Sequence, residues 1–265
     1  MKKLTVLAVG LALLVPSLAF ADSFSLRAGY FWPRALSQSY IAQNPNTLWA
    51  IEFDQMTLRF EDFRGWMIGA GYEYFLGKNF SLVLAVDTFS EQQFGDYRNY
   101  DQTEFEEGWF AFPIDSEPGD IPDWYYISHN FRVSSTPLMA SVKVSPLGRK
   151  TKLIPYFGGG VGAYFWSAGL FGEMVDFADE WIYADPILGD IPVYPVIPVN
   201  TRERGTAFGV HALAGLQFPI GYRATIDAEA RYHWVKGHFD DGLLVDFDGF
   251  DLGGLAVTVG FTYWF

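Results

Sequence analysis

The sequence contains no cysteine, so an exported form could build no disulfide framework and must draw its stability from elsewhere. Beyond the N-terminus it also lacks any apolar run approaching the roughly 20 residues of a spanning helix; Gly, Pro or a charge interrupts each candidate. Positive charge is scarce. Lys and Arg number 18 against 31 Asp and Glu, a formal charge of −13. Nucleic acid is therefore excluded as a partner, because phosphate binding calls for clustered basic residues. Histidine is sparse too, with four residues scattered along the chain. Their spacing suggests no metal site, and no cofactor is implied.

What the chain has in excess is aromatic: 25 Phe, 15 Tyr and 9 Trp make up 18% of it, beside 27 Gly. Its first residues are Met1-Lys2-Lys3, an apolar run from Leu4 to Leu14, then Pro16, Ser17 and Ala19-Phe20-Ala21. A charged start, a short apolar stretch and an A-x-A site predict a signal peptide over 1–21, cleaved before Asp22. The mature domain would then span 22–265 and carry a charge of −15 once Lys2 and Lys3 are gone.

Eight segments of that domain alternate apolar with polar or small residues: 23–32, 64–75, 79–90, 131–145, 153–166, 204–218, 223–236 and 251–265. In the last, Leu255, Val257, Val259, Phe261, Tyr263 and Phe265 share one face, with Ala256, Thr258, Gly260 and Thr262 on the other. In the seventh, Ile226, Ala228, Ala230, Tyr232 and Trp234 oppose Thr225, Asp227, Glu229, Arg231 and His233. Bulky apolar residues facing charged ones within one strand suit lipid outside and a polar lumen inside. Connections decide between this and a soluble sandwich. Short links at 76–79, 146–152 and 219–222 alternate with long ones at 33–63, 91–130, 167–203 and 237–250, the rhythm of an up-and-down barrel with tight periplasmic turns and long outer loops. Aromatics gather at segment ends, as in Tyr30-Phe31-Trp32, Tyr164-Phe165-Trp166 and Tyr263-Trp264-Phe265, where rings form girdles at the membrane interfaces. The predicted fold is all-β: a membrane-spanning antiparallel barrel of eight strands. Alternation in 47–60, 105–112 and 124–130 keeps ten strands as the alternative.

The opening Ser25-Leu26-Arg27-Ala28-Gly29-Tyr30-Phe31 and the terminal Gly260-Phe261-Thr262-Tyr263-Trp264-Phe265 resemble small bacterial outer-membrane barrels of the OmpA, OmpW and opacity-protein type. The resemblance implies export to the outer membrane. It also implies that Phe265, with Tyr263 and Phe261 at alternate positions before it, is the signal read by the barrel-assembly machinery. It covers the strands only.

The strand pattern points Arg27, Glu73, Asp87, Lys143, His211, Asp227, Glu229 and Arg231 into the lumen. Eight strands leave a bore just wide enough for side chains to fill, so mixed charges there are expected to pair. Counted from the periplasmic turns, Arg27, Glu73, Lys143 and Asp227 lie low, while Asp87, His211, Glu229 and Arg231 lie higher. The 219–222 turn should bring His211 near Glu229 or Arg231. Gly158-Gly159-Gly160-Val161-Gly162-Ala163 matches the pattern of a dinucleotide loop but is followed by a strand, not the required helix. Ser128 and His129 are neighbours that a strand points to opposite faces, and His211, His233 and His238 show no partner Ser at a suitable strand offset, so no catalytic site is expected.

Loops 91–129, 167–203 and 237–250 are rich in Asp and Glu, whereas the periplasmic turns carry Lys78, Arg149, Lys150 and Lys152. The outer field should attract cations. Outer-membrane lipid and lipopolysaccharide are the expected surroundings, with divalent cations at the acidic loops as further partners; Asp246-Phe247-Asp248-Gly249-Phe250-Asp251 hints at calcium without EF-hand spacing. Three functions follow: a narrow porin-like channel for small cations or solutes comes first. A plugged barrel serving membrane integrity or surface interaction through its acidic aromatic loops is the alternative, and a lipid-modifying barrel enzyme comes last.

Overall fold

Strands whose outer faces are apolar cannot leave a sheet edge open in lipid, because each unpaired backbone group there costs several kcal/mol. The computed structural model describes residues 23–34, 57, 63–97, 110–113, 127–176, 179–185, 189–238 and 250–265, and in it the sheet closes on itself. The strands are β1 (Ser23–Pro33), β2 (Gly65–Phe75), β3 (Phe80–Gly95), β4 (Phe110–Pro113), β5 (His129–Val144), β6 (Ile154–Val175), β7 (Trp181–Asp185), β8 (Gly189–Pro219), β9 (Ala224–Trp234), β10 (Lys236–Gly237), β11 (Phe250–Asp251) and β12 (Gly254–Trp264). Eight of them form an antiparallel ring in the order β1-β2-β3-β5-β6-β8-β9-β12, with β12 pairing back onto β1. Following paired residues once around that ring from Ile154 returns to β6 at Tyr164, ten residues further along. Eight strands with this stagger tilt about 40° and enclose a bore of about 8 Å backbone radius.

All eight expected segments are ring strands, joined by tight turns at 76–79, 145–153 and 220–223. The possibility of ten is corrected. Of 47–60, all but Thr57 lies outside the described residues; 110–113 is a short strand paired parallel to β8 at Val193–Val196; residues 129 and 130 belong to β5. The long loops also carry more strand than expected, since β3, β5, β6 and β8 run well past the other four. Their extensions form a ledge on one side of the barrel, and β7 pairs with β8 at its tip. At one step, Asp87–Thr88 opposite Thr136–Pro137, the β3–β5 pairing lapses; Pro137 has no N–H to give there.

The ledge is where the strand pattern reverses. Within the belt, β5 turns Val142 and Leu138 outward and Lys143 and Ser141 inward; above it, Arg132 and Ser134 face outward while Phe131 and Val133 are buried. The same inversion runs along β8, from Leu216, Val210 and Phe208 outside to Thr206, Arg204 and Arg202 outside. Period-two alternation persists without a phase slip, and only the polarity of the two faces is exchanged. That exchange marks the membrane boundary: below it lipid is the outer solvent, above it water. Below the boundary an apolar outer belt encircles the ring, including Leu26, Ile68, Leu84, Phe157, Ile226 and Val259. Aromatics rim it on both sides, with Trp32, Trp66 and Trp234 above and Phe24, Phe80 and Phe265 below.

Candidate functional site

The lower lumen is assembled by bridges that skip a strand. Arg27 on β1 donates from Nε to Asp87 Oδ1 on β3 at 2.7 Å, passing over Gly69 of β2, which pairs with both residues. A Cβ at Gly69 would stand 1.8 Å from that carboxylate oxygen. Tyr156 on β6 likewise donates to Glu229 Oε2 on β9 at 3.1 Å, over Gly215 of β8, where a Cβ would lie 2.4 Å from the phenol ring. Glycine in these strands therefore leaves bare backbone across which polar side chains from alternate strands meet.

Arg231 completes the layer, donating to Glu229 Oε1 at 2.6 Å and to Asp87 Oδ2 at 3.3 Å. Lower down, Lys143 binds Glu73, which also accepts from Ser81, and Lys143 Nζ sits 4.5 Å from the Tyr156 ring centroid. Asp227 accepts from the Thr225 and Thr262 hydroxyls instead of from a cation. The structure thus places all eight sequence-selected lumen residues inside and joins Arg27, Asp87, Glu229 and Arg231 in one cluster and Glu73 with Lys143 in another. One expectation about heights is corrected. Arg27, counted as low, reaches Asp87, counted as high, because tilted strands bring different heights into register.

His211 pairs in register with His233, the two rings lying 6.1 Å apart, and stands near enough to Arg231 and Glu229 for both charges to reach it, as expected. Its Nε2 is 2.7 Å from Ser141 Oγ, again across a glycine, Gly160. Sequence reasoning missed this Ser–His pair because it looked along single strands, whereas the partner lies two strands away. His233 Nδ1 is 2.9 Å from the Tyr164 hydroxyl. Both Ser141 and His211 are buried within the barrel, away from the lipid-facing surface that an acyl chain would approach. The glycine run 158–162 is interior strand, as expected.

Above this histidine pair the lumen becomes hydrocarbon. Tyr164, Trp166, Ala168 and Leu170 of β6, Phe131 and Val133 of β5 and Ala207 of β8 pack with Phe63, Tyr97, Ile127 and Val235 in one buried cluster. Phe31, Met67, Phe89 and Ala256 fill the opposite sector. Below, the space left among Arg27, Glu73, Lys143, Tyr156, Asp227 and Glu229 is a cavity of about 40 Å³, enough for roughly three waters and not for a solute. The acids and aromatics of 98–109, 114–126 and 239–249, Trp109, Trp124 and Tyr126 among them, lie outside the described residues. Of the Asp246–Asp251 stretch, Asp251 is described and binds Arg34, whose Nε donates at 3.0 Å. At the other end of the barrel, Phe261, Tyr263 and Phe265 point outward into the lower belt.

No protein-family model matches the sequence, and no curated protein matches it. Among solved structures, the chain is similar to the outer membrane protein OprG from Pseudomonas aeruginosa, at 12% identity, 92% coverage of this chain, 96% of that one and a TM-score of 0.45. It is also similar to Neisserial surface protein A, at 13% identity, 92% and 96% coverage and a TM-score of 0.41. A third is the N-terminal β-barrel domain of Pseudomonas aeruginosa OprF, at 10% identity, 92% and 98% coverage and a TM-score of 0.39.

Proposed function

We infer that the chain is an outer-membrane β-barrel protein, from its closed eight-strand ring with an apolar outer belt, short turns at one end and long connections at the other. We propose that it acts as a sealed barrel, working through its outer surface in membrane integrity or surface interaction, and that it is neither a conduit nor an enzyme. The apolar cap carries this reading. A hydrated ion entering from below would have to shed its water in a layer made of Trp166, Tyr164, Phe131, Phe31 and Phe89, at a cost of several kcal/mol. The porin-like channel for small cations expected from the sequence draws support from the charged lower lumen, but the cap opposes it. Burial of Ser141 and His211 beneath that cap speaks against a lipid-modifying reaction.

The test is single-channel recording from the refolded barrel in a planar bilayer. Silence from protein shown to be folded by its gel mobility is the expected result. Steady cation-selective openings that change on Lys143→Ala would overturn the sealed barrel and restore the channel.

A further inference from the structure

The outer wall of the ledge carries an ordered basic face directly above the lipid-facing belt. Register across β3, β5, β6 and β8 places Gln92, Arg132, Gly169 and Arg202 in one row. The next row toward the membrane is Ser90, Ser134, Ser167 and Arg204. Below it, Thr136, Phe165 and Thr206 are in register, with the Thr88 hydroxyl 3.3 Å from that of Thr136. The row beneath is Val86, Leu138, Ala163 and Phe208, where Phe208 is 81% exposed on the outer surface. The wall therefore passes from hydrocarbon to hydroxyls to guanidiniums within six residues of β8.

Three arginines converge here in a chain of formal charge −13. Among the described residues none of Arg132, Arg202 and Arg204 makes an ion pair, although all three are exposed. Arg202 Nη2 donates to Ser167 Oγ at 3.2 Å, and Ser167 Oγ lies 2.8 Å from Ser134 Oγ. Arg132 and Arg202 are two strands apart, about 10 Å, with the Phe171 ring lying over Gly169 between them, so an anion would meet both guanidiniums above that ring. With the strand tilt, Arg204 stands about 10 Å above Phe208 along the membrane normal, in the polar layer beyond the hydrocarbon. Planar guanidiniums flanked by hydroxyl donors match phosphate oxygens better than any other group available at that depth.

We propose that this face binds the phosphorylated headgroup of the glycolipid in the outer leaflet, Arg132, Arg202 and Arg204 holding the phosphate with Ser134, Ser167, Thr136 and Thr206 around it. The inference rests on the surface role proposed above only in placing the ledge outside the cell. It commits the barrel to a specific lipid neighbour, whereas the acidic connections around it repel anions in general.

The experiment uses the folded barrel in uncharged detergent, titrated with bis-phosphorylated lipid A, with the same lipid after phosphatase treatment, and with inorganic phosphate. Binding is read by native-gel retention and by the shift in unfolding temperature. The Arg132→Gln/Arg202→Gln/Arg204→Gln variant should bind lipid A about a hundredfold more weakly. A charge-matched control at the opposite end, Lys78→Gln/Lys150→Gln/Lys152→Gln, should bind like the unaltered chain, and dephosphorylated lipid should not bind. Should the triple variant fail to fold, Arg132→Gln and Arg204→Gln singly should each weaken binding about fivefold. Equal binding by the arginine variants, equal loss in the control, retention of dephosphorylated lipid, or displacement by inorganic phosphate at matching concentration would each overturn the site. Conductance plays no part in these readouts, so such a failure leaves the sealed barrel standing.

Discussion

Below the His211–His233 pair the barrel interior holds Arg27, Glu73, Asp87, Lys143, Asp227, Glu229 and Arg231; above it the same strands enclose Phe31, Phe131, Tyr164 and Trp166. The two halves share backbone geometry and alternation, and differ in what lies outside them. In lipid the outer face must be apolar, which leaves the inner face free to carry charge. In water the ledge faces the usual problem of a soluble sheet and buries its apolar face instead. Along β5 and β8 the comparison teaches that interior composition follows the exterior solvent, whereas on β1 and β2 the inward Phe31 and Met67 are apolar within the belt itself, beside the outward Trp32, Trp66 and Ile68.

Asp87 offers the sharpest way to break the lower half. Asp87→Ala strips Arg27 and Arg231 of a shared carboxylate, and removing one member of a buried ionic cluster is expected to cost about 4 kcal/mol. Urea unfolding of the barrel in vesicles measures this; a loss under about 1 kcal/mol would mean that lumen water solvates these charges. The upper half should answer to Trp166→Ala with a loss of about 3 kcal/mol. Hydrogen exchange should then quicken in the upper parts of β5, β6 and β8 while residues 138–144 stay protected. Uniform quickening along the strands would instead show that the two halves unfold as one.

The smallest effect is one of pH. His129 stands at the top of β5, above the belt, and is 2% exposed. Burial pushes its imidazole down from 6.5 to about 4, against the opposing charge of Asp96. With the folded value below the unfolded one, its contribution is complete above pH 6.5 and is lost as pH falls toward 4. His129→Phe should flatten that part of the stability profile, and an unchanged profile would place the acid sensitivity elsewhere.

Much of this was legible in the residues. Leu255 to Phe265 and Ile226 to Trp234 show lipid-facing alternation so cleanly that the seventh and eighth strands ended within two residues of expectation. The ledge was legible only at its base: Arg132, Val133 and Arg204 fell within expected segments, whereas Ala168, Val199 and Arg202 lay in 167–203, whose outward charge and inward apolar residues invert the pattern expected with lipid outside and so read as loop. Ser141 and His211 were missed for another reason: contacts across Gly160 depend on register between three strands, which no single segment encodes.

Sequence alone determined that the chain must close into a barrel and which side chains face lipid, because period-two alternation and the cost of unpaired backbone in a bilayer are local constraints. Only the tertiary structure decided which charges meet, where the lumen turns to hydrocarbon and which arginines share a face. Those depend on strand tilt and on a stagger of ten residues around the ring, quantities that exist only once the sheet has closed.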